Sequence, residues 1–235
     1  MSGRIARFSK QALEPVEETG LGEFYQRYFL MNVPTVGKFG HNITPTEKIA
    51  YVRNRGGVNE AFEGRWGLEP HWVKSPDKAM GLWHLARSES AADKPAFRDA
   101  IRTARCVVPV DGIYEWQKVG SDKQPWYFYR ADGQPLLLGG IYAQHSWGDS
   151  FAILTTEPNA IMVDIHERMP VIIAADDSAR WLAPDIADPS LVSDLMHPCP
   201  PEWLRTHKVG KAVGNVRNDY PELIEPLEEE EEPES

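Results

Sequence analysis

Short stretches in which apolar side chains dominate or alternate with polar ones recur along the chain: KIAYVR, CVVPV, PWYFYR, LLLGGIY, FAILTT and MPVIIA. Turn-forming residues flank most of them, and that combination reads as strands. ADGQ at Ala131–Gln134 sets an Asp-Gly pair between two of these runs, which predicts a β-hairpin. Helical spacing is less common. It covers Leu21–Leu30, Pro95–Thr103, Ala175–Leu182 and Pro189–Met196, with Gly37–Gly40 read as loop. Proline-punctuated strands with interspersed helices predict an α+β fold, its mostly antiparallel sheet curled into a barrel-like core with flanking helices. No internal repeat or Pro/Gly/Ser-rich linker divides residues 1–227, so one domain is expected there, followed by an acidic tail at 228–235.

Composition changes this picture in two ways. A length of 235 residues with 42% hydrophobic side chains is enough to bury a core. The net charge of −10 looks hostile to nucleic acid, yet eight acids and no base lie between Glu222 and Ser235, and without them the body carries only −2. A nearly neutral body has room for a basic groove. The two cysteines, Cys106 and Cys199, belong to no CxxC or Cys/His grouping, so neither a disulfide framework nor a metal site is expected. No apolar run has membrane-spanning length, and the charged-then-apolar pattern of a signal peptide is missing, which predicts a cytoplasmic protein that engages no membrane. Gly-rich phosphate loops, HExxH and GxSxG motifs are likewise missing.

Three places combine reactive groups with unusual local sequence. Ser2-Gly3-Arg4 follows the initiator methionine, and a small residue 2 suits removal of Met1 to free a new α-amine. DGIYEWQ places Glu115 between two aromatic residues, and DIHERMP places His166 just before Arg168 and a proline-started apolar run. A carboxylate, an imidazole and a free amine are the ingredients for moving a proton twice. Arginine interleaved with aromatics in EGRWGLEPHW, and again arginine in LARSES, suits phosphate pairing and stacking on unpaired bases.

Taken together, MSGR, HNITPTE, RWGLEPHW, ARSES, RCVVPVDGIYEW, ILTTEPN, IHERMPVII and AVGNVRNDYPELIEP follow the order and spacing of the SOS-response-associated peptidase (SRAP) family. The resemblance runs from residue 2 to about Leu227. It implies a protein that binds abasic sites in single-stranded DNA, associated with the nucleoid, with no cofactor or metal and acting as a monomer. In such proteins a cysteine at position 2 is exposed by loss of Met1. Its α-amine forms a Schiff base with the open-ring deoxyribose aldehyde, and its thiol closes a thiazolidine. The resemblance gives Glu115 and His166 proton-transfer roles beside residue 2. It places Arg4, Trp72, Arg87 and Thr155 along the DNA path, where Asn42 and Arg168 are expected as further contacts.

The chain departs from the pattern at position 2, which is Ser2, and at the asparagine slot before Ala86-Arg87, which is Leu85. An α-amine has a pKa of about 7.7–8.0 against about 10.4 for lysine, so its free-base fraction at neutral pH is a few hundred-fold larger whether residue 2 is Cys or Ser. Ring closure is different. A thiol titrates near 8.5, whereas a serine hydroxyl is a poor nucleophile without a base. The expectation is a reversible Schiff base through the Ser2 amine, with β-elimination (lyase activity) as its possible sequel. Two alternatives stand beside it: Ser2 as an N-terminal nucleophile in self-processing or peptide cleavage, and a DNA-binding module whose pocket no longer reacts.

Overall fold

The computed structural model describes residues 3–8, 21–75 and 83–227. Ser2 and the acidic tail at 228–235 lie outside the described residues. Among the described residues there are twelve strands: β1 (Arg4–Arg7), β2 (Gly40–Ile43), β3 (Lys48–Arg55), β4 (Val58–Trp66), β5 (Leu85–Arg87), β6 (Arg105–Val110), β7 (Gly112–Val119), β8 (Asp122–Arg130), β9 (Leu136–His145), β10 (Gly148–Thr156), β11 (Met169–Pro170) and β12 (Leu204–Lys208). The α-helices are short: α1 (Leu21–Phe29), α2 (Ser88–Ala91), α3 (Arg98–Thr103) and α4 (Ser178–Leu182). Among the described residues no helix is long and apolar enough to cross a membrane.

The strands form two sheets. One runs β12-β8-β7-β1-β2 and is antiparallel throughout. The other runs β11-β10-β4-β3-β6-β9, and a further β9–β10 pairing closes β4, β3, β6, β9 and β10 into a five-stranded barrel. Among the described residues, parallel pairing enters only through β10, which meets β4 along its first half and β5 along its second. The fold is therefore α+β with mostly antiparallel strands and a barrel.

Side-chain alternation along the strands assigns the layers. Tyr51, Val108, Leu138, Phe151 and Ile153 join one apolar cluster. Their neighbours Val52, Val107, Leu137, Ala152 and Leu154 join another. The first cluster also holds Ile5, Ile43, Ile113, Phe128 and Leu204 from the five-stranded sheet, so it fills the space between the sheets. The second is covered by Phe24, Tyr25 and Phe29 of α1, Ile101 of α3 and Trp181 of α4. A third, smaller cluster packs Ala6, Tyr114 and Tyr127 against Val209, Val213 and Leu223.

The predicted hairpin at Ala131–Gln134 is not one. β8 pairs with β7 and β12, while β9 pairs with β6 and β10, so the segment carries the chain from one sheet into the other. Its Asp-Gly does form a turn, with Gly133 at φ +74° and Asp132 gripped by the Arg130 guanidinium. The Asp-Gly turn signal is local and holds; the flanking strands find their partners elsewhere in the two sheets. The helix expected at Ala175–Leu182 opens with a 3-10 turn at Ala175–Asp177, and Pro189–Met196 is 3-10 throughout. Of MPVIIA, only Met169–Pro170 is regular strand.

Candidate functional site

The first strand is an inner strand of its sheet, held by β2 on one side and β7 on the other. Arg4 pairs with Tyr114, Ile5 with Ile113 and Ala6 with Gly112. Continuing that register by one step sets Gly3 opposite Glu115. Glu115 is 1% exposed. By strand alternation it shares a face with Ile113 of the inter-sheet cluster, while Tyr114 and Trp116 face the third cluster.

Gly3 is buried and has φ +65°, a conformation that L side chains rarely adopt. A Cβ there would lie 3.0 Å from both Pro45 Cγ and His84 Cδ2. The backbone conformation favours glycine, and a side chain there would also need Pro45 or His84 to give by a few tenths of an ångström. His84 itself was not singled out in the sequence, where nothing but an imidazole one residue before Leu85 marked it.

His166 ends a tight turn in which its own N–H donates to the Met162 carbonyl. Gln117, two residues beyond Glu115, donates to the Asp164 carbonyl at 3.0 Å and ties this turn to β7. The Arg168 backbone N–H donates to His166 Nδ1 at 3.0 Å. Since a backbone N–H can only donate, the neutral ring carries its proton on Nε2. The Arg168 carbonyl lies 3.2 Å from the same Nδ1, where it can accept once the ring is charged. Burial lowers the His166 pKa from its ordinary 6.5, and the positive charge of the amino terminus adds to that. Its folded-state pKa being below the unfolded one, the unfolded chain takes the proton first as pH falls. The resulting stability is present above about pH 6.5 and lost as pH drops through the folded value. Melting temperature is accordingly expected to fall between pH 7 and 5, and His166→Gln to flatten that slope. An unchanged slope in thermal melts of the variant would assign the pH effect to other groups.

The remaining expected residues divide into two groups. Arg4 Nη1 donates to Asn42 Oδ1 at 2.7 Å and to the Val213 carbonyl at 2.8 Å, with the Trp116 ring 5.8 Å from the guanidinium carbon. Asn42 is 1% exposed, and its amide donates to the carbonyls of Val213, Asn215 and Asn218 at 2.9–3.1 Å. Asp219 accepts from the backbone N–H of His41 and of Asn42. These contacts clamp the AVGNVRND segment onto the first two strands. The clamp was missed in the sequence because its members lie some 170 residues apart.

The second group forms an arginine edge. Arg168 makes a two-pronged pair with Glu89 at 2.7 and 2.9 Å and donates to the carbonyl and hydroxyl of Thr155. That pairing holds the Glu89 carboxyl below its ordinary range. Thr155 is buried and lies directly opposite Arg87 in the β5–β10 ladder. Arg87 is exposed, and its guanidinium makes no hydrogen bond or ion pair among the described residues. Trp72 is exposed on a turn between the partners of the Leu68–Trp83 bridge, its ring edge-on to His71. Leu85, in the asparagine slot, packs against the inter-sheet cluster. Neither cysteine offers a substitute sulfur: both are buried, and burial pushes the Cys199 thiol up to about 12 and Cys106 higher still. Among the described residues there is no group of three or more His, Cys, Asp or Glu side chains suited to a metal.

Fold and site together define a protein whose first strand is threaded into a sheet beside a buried carboxylate, with a neutral imidazole and an arginine edge on neighbouring elements. The family described as SOS response associated peptidase (SRAP) matches residues 1–216, and the chain belongs to that family. It is 32% identical over 192 residues to abasic site processing protein YoqW of Bacillus subtilis, covering 79% of this chain and 85% of that protein. It is 29% identical over 212 residues to abasic site processing protein YedK of Escherichia coli, covering 88% and 92%. Among solved structures, a Bordetella bronchiseptica protein superposes with a TM-score of 0.72 at 25% identity, covering 88% of this chain and 99% of that one.

Proposed function

We propose that this protein binds single-stranded DNA at abasic sites and reacts through the α-amine of residue 2. The observation that carries this reading is the strand register that sets Gly3 opposite buried Glu115, one residue from that amine. The relatives named for abasic site processing support the same substrate. After removal of Met1, the amine lone pair adds to the C1′ aldehyde of the ring-opened sugar. The carbonyl oxygen takes up a proton as the nitrogen gives one up, and water then leaves to form the imine. Glu115 and His166 are the groups suited to carry those protons, the His166 ring donating from its charged form. Ser2 supplies no thiolate, so the product remains a hydrolysable imine rather than a closed sulfur ring.

The test combines intact mass, to establish that Met1 is absent, with borohydride reduction on single-stranded DNA bearing one abasic site. A covalent band that requires borohydride, and that disappears when the amino terminus is acetylated, is the expected result. A protein lacking Met1 that binds the DNA but is never trapped would be a binding module. DNA approach should follow the arginine edge: Arg87→Glu is expected to weaken single-strand binding and to flatten its salt dependence, one lost phosphate contact lowering the log–log slope by about 0.7. Fluorescence anisotropy across a salt series reads both quantities, and unchanged affinity and slope would remove Arg87 from the DNA path.

A further inference from the structure

We infer that His84 is a proton carrier for the residue-2 amine, an assignment that rests on the amine-based reading above. Its imidazole edge lies against the first described residue: a Cβ on Gly3 would stand 3.0 Å from His84 Cδ2 and 3.1 Å from Nε2. Covalent geometry alone keeps the residue-2 nitrogen within about 5 Å of the Gly3 Cα, whatever the torsions between them. Rotation about those torsions can bring the reactive amine to His84, directly or through one water.

The ring is also held in place. The His84 carbonyl accepts from the Ile153 backbone N–H at 3.0 Å and from the Trp66 indole at 2.9 Å, which fixes the backbone from two sides. Trp66 is fully buried, and the imidazole meets it edge-on with ring centroids 6.1 Å apart. A side chain on so rigid a base keeps its orientation toward Gly3. The next residue explains the value of an imidazole here. Leu85 offers no hydrogen bond and packs into apolar surroundings. On this segment, polar service to the amine thus falls to the position before it, beside Glu115 and His166 on theirs.

The chemistry balances without any further reactant. As the amine nitrogen bonds to the aldehyde carbon, His84 takes one N–H proton and the former carbonyl oxygen gains a proton from solvent. His84 then returns its proton to the departing hydroxyl, which leaves as water while the nitrogen lone pair closes the C=N bond. Amine, aldehyde and one solvent proton become protonated imine and water, and the imidazole ends as it began.

Two electrophiles test the assignment on full-length protein lacking Met1: a small soluble aldehyde, read by mass after borohydride reduction, and abasic single-stranded DNA, read on a gel. His84→Ala is expected to slow trapping of both by about ten- to a hundred-fold, the lower range for loss of an acid–base group. Affinity for intact single-stranded DNA should stay within two-fold of the native value, on the order of experimental scatter for a site that leaves the phosphate contacts in place. Added imidazole should restore part of the His84→Ala rate but not that of His84→Gln, whose side chain occupies the space without carrying a proton. Rates of His84→Ala within two-fold of native, or a loss that imidazole leaves untouched, overturn the inference, since general acid–base help is worth far more than that factor. Failures of the two readings separate cleanly. A native protein trapped by the small aldehyde in a His84-dependent way, but never by abasic DNA, keeps this inference and sinks the DNA reaction. Trapping by DNA that is indifferent to His84 does the reverse, and trapping by neither overturns both.

Discussion

Ser2→Cys is expected to convert a borohydride-dependent band into a heat-stable crosslink to abasic single-stranded DNA. The amine is common to both proteins, so imine formation should proceed in each. The difference lies in the second bond. With a thiol pKa near 8.5, about a tenth of an unperturbed cysteine is thiolate at pH 7.5, whereas the serine hydroxyl is essentially un-ionised. A sulfur at position 2 can therefore close on the imine carbon at a rate the oxygen cannot approach. Cys106 and Cys199 do not compensate in the native chain, being buried with raised pKa values. Adding Leu85→Asn should raise the yield further by restoring a hydrogen-bonding group beside Ala86-Arg87. A heat-stable band from the native protein would show that serine closes the ring after all. No band from the double variant, despite normal imine trapping, would show that the pocket no longer orients the intermediate.

Asn42→Ala is expected to cost about 2–4 kcal/mol, because each buried polar group left unpaired costs roughly 1–3 kcal/mol. Asn42 donates to three carbonyls of the Val213–Asn218 turn and accepts from Arg4, so its loss strands groups on both sides. At about 2–4 °C per kcal/mol for a chain of this size, the melting temperature should fall by roughly 5–15 °C. Asn42→Asp is a sharper test. It keeps the oxygen that Arg4 uses and adds a charge to that pair, yet it turns a second oxygen toward three carbonyl oxygens. If the amide's donors matter as argued, Asp should be at least as damaging as Ala. An Asp variant as stable as native would locate the clamp in the Arg4 pair alone.

Much of the sheet was legible because its strands bury at least one face. KIAYVR, CVVPV, PWYFYR, LLLGGIY and FAILTT all lie within β3, β6, β8, β9 or β10. The strands that escaped notice are those whose side chains carry little apolar signal. β4 reads VNEAFEGRW and is mostly polar or half-exposed, β12 reads LRTHK, and β1 is only RIAR. Their strand character comes from neighbours that complete the hydrogen-bond ladder, not from their own composition. The Asp-Gly at 132–133 failed as a hairpin signal for the complementary reason: a turn is local, whereas strand partnership is decided by burial across the molecule.

The candidate site divides along the same line. Residue types at positions 2, 3, 85, 115 and 166 were fixed by the chain itself, and with them the availability of an amine, a carboxylate and an imidazole and the lack of a sulfur. Which of them meet was decided only by tertiary structure. The β1–β7 register brings Gly3 opposite Glu115 across more than a hundred residues, and the pairing of β5 with barrel strand β10 delivers His84 to the same end of β1. Local sequence cannot encode such contacts by itself, since a one-residue slip in either ladder would turn the same side chains to the opposite face.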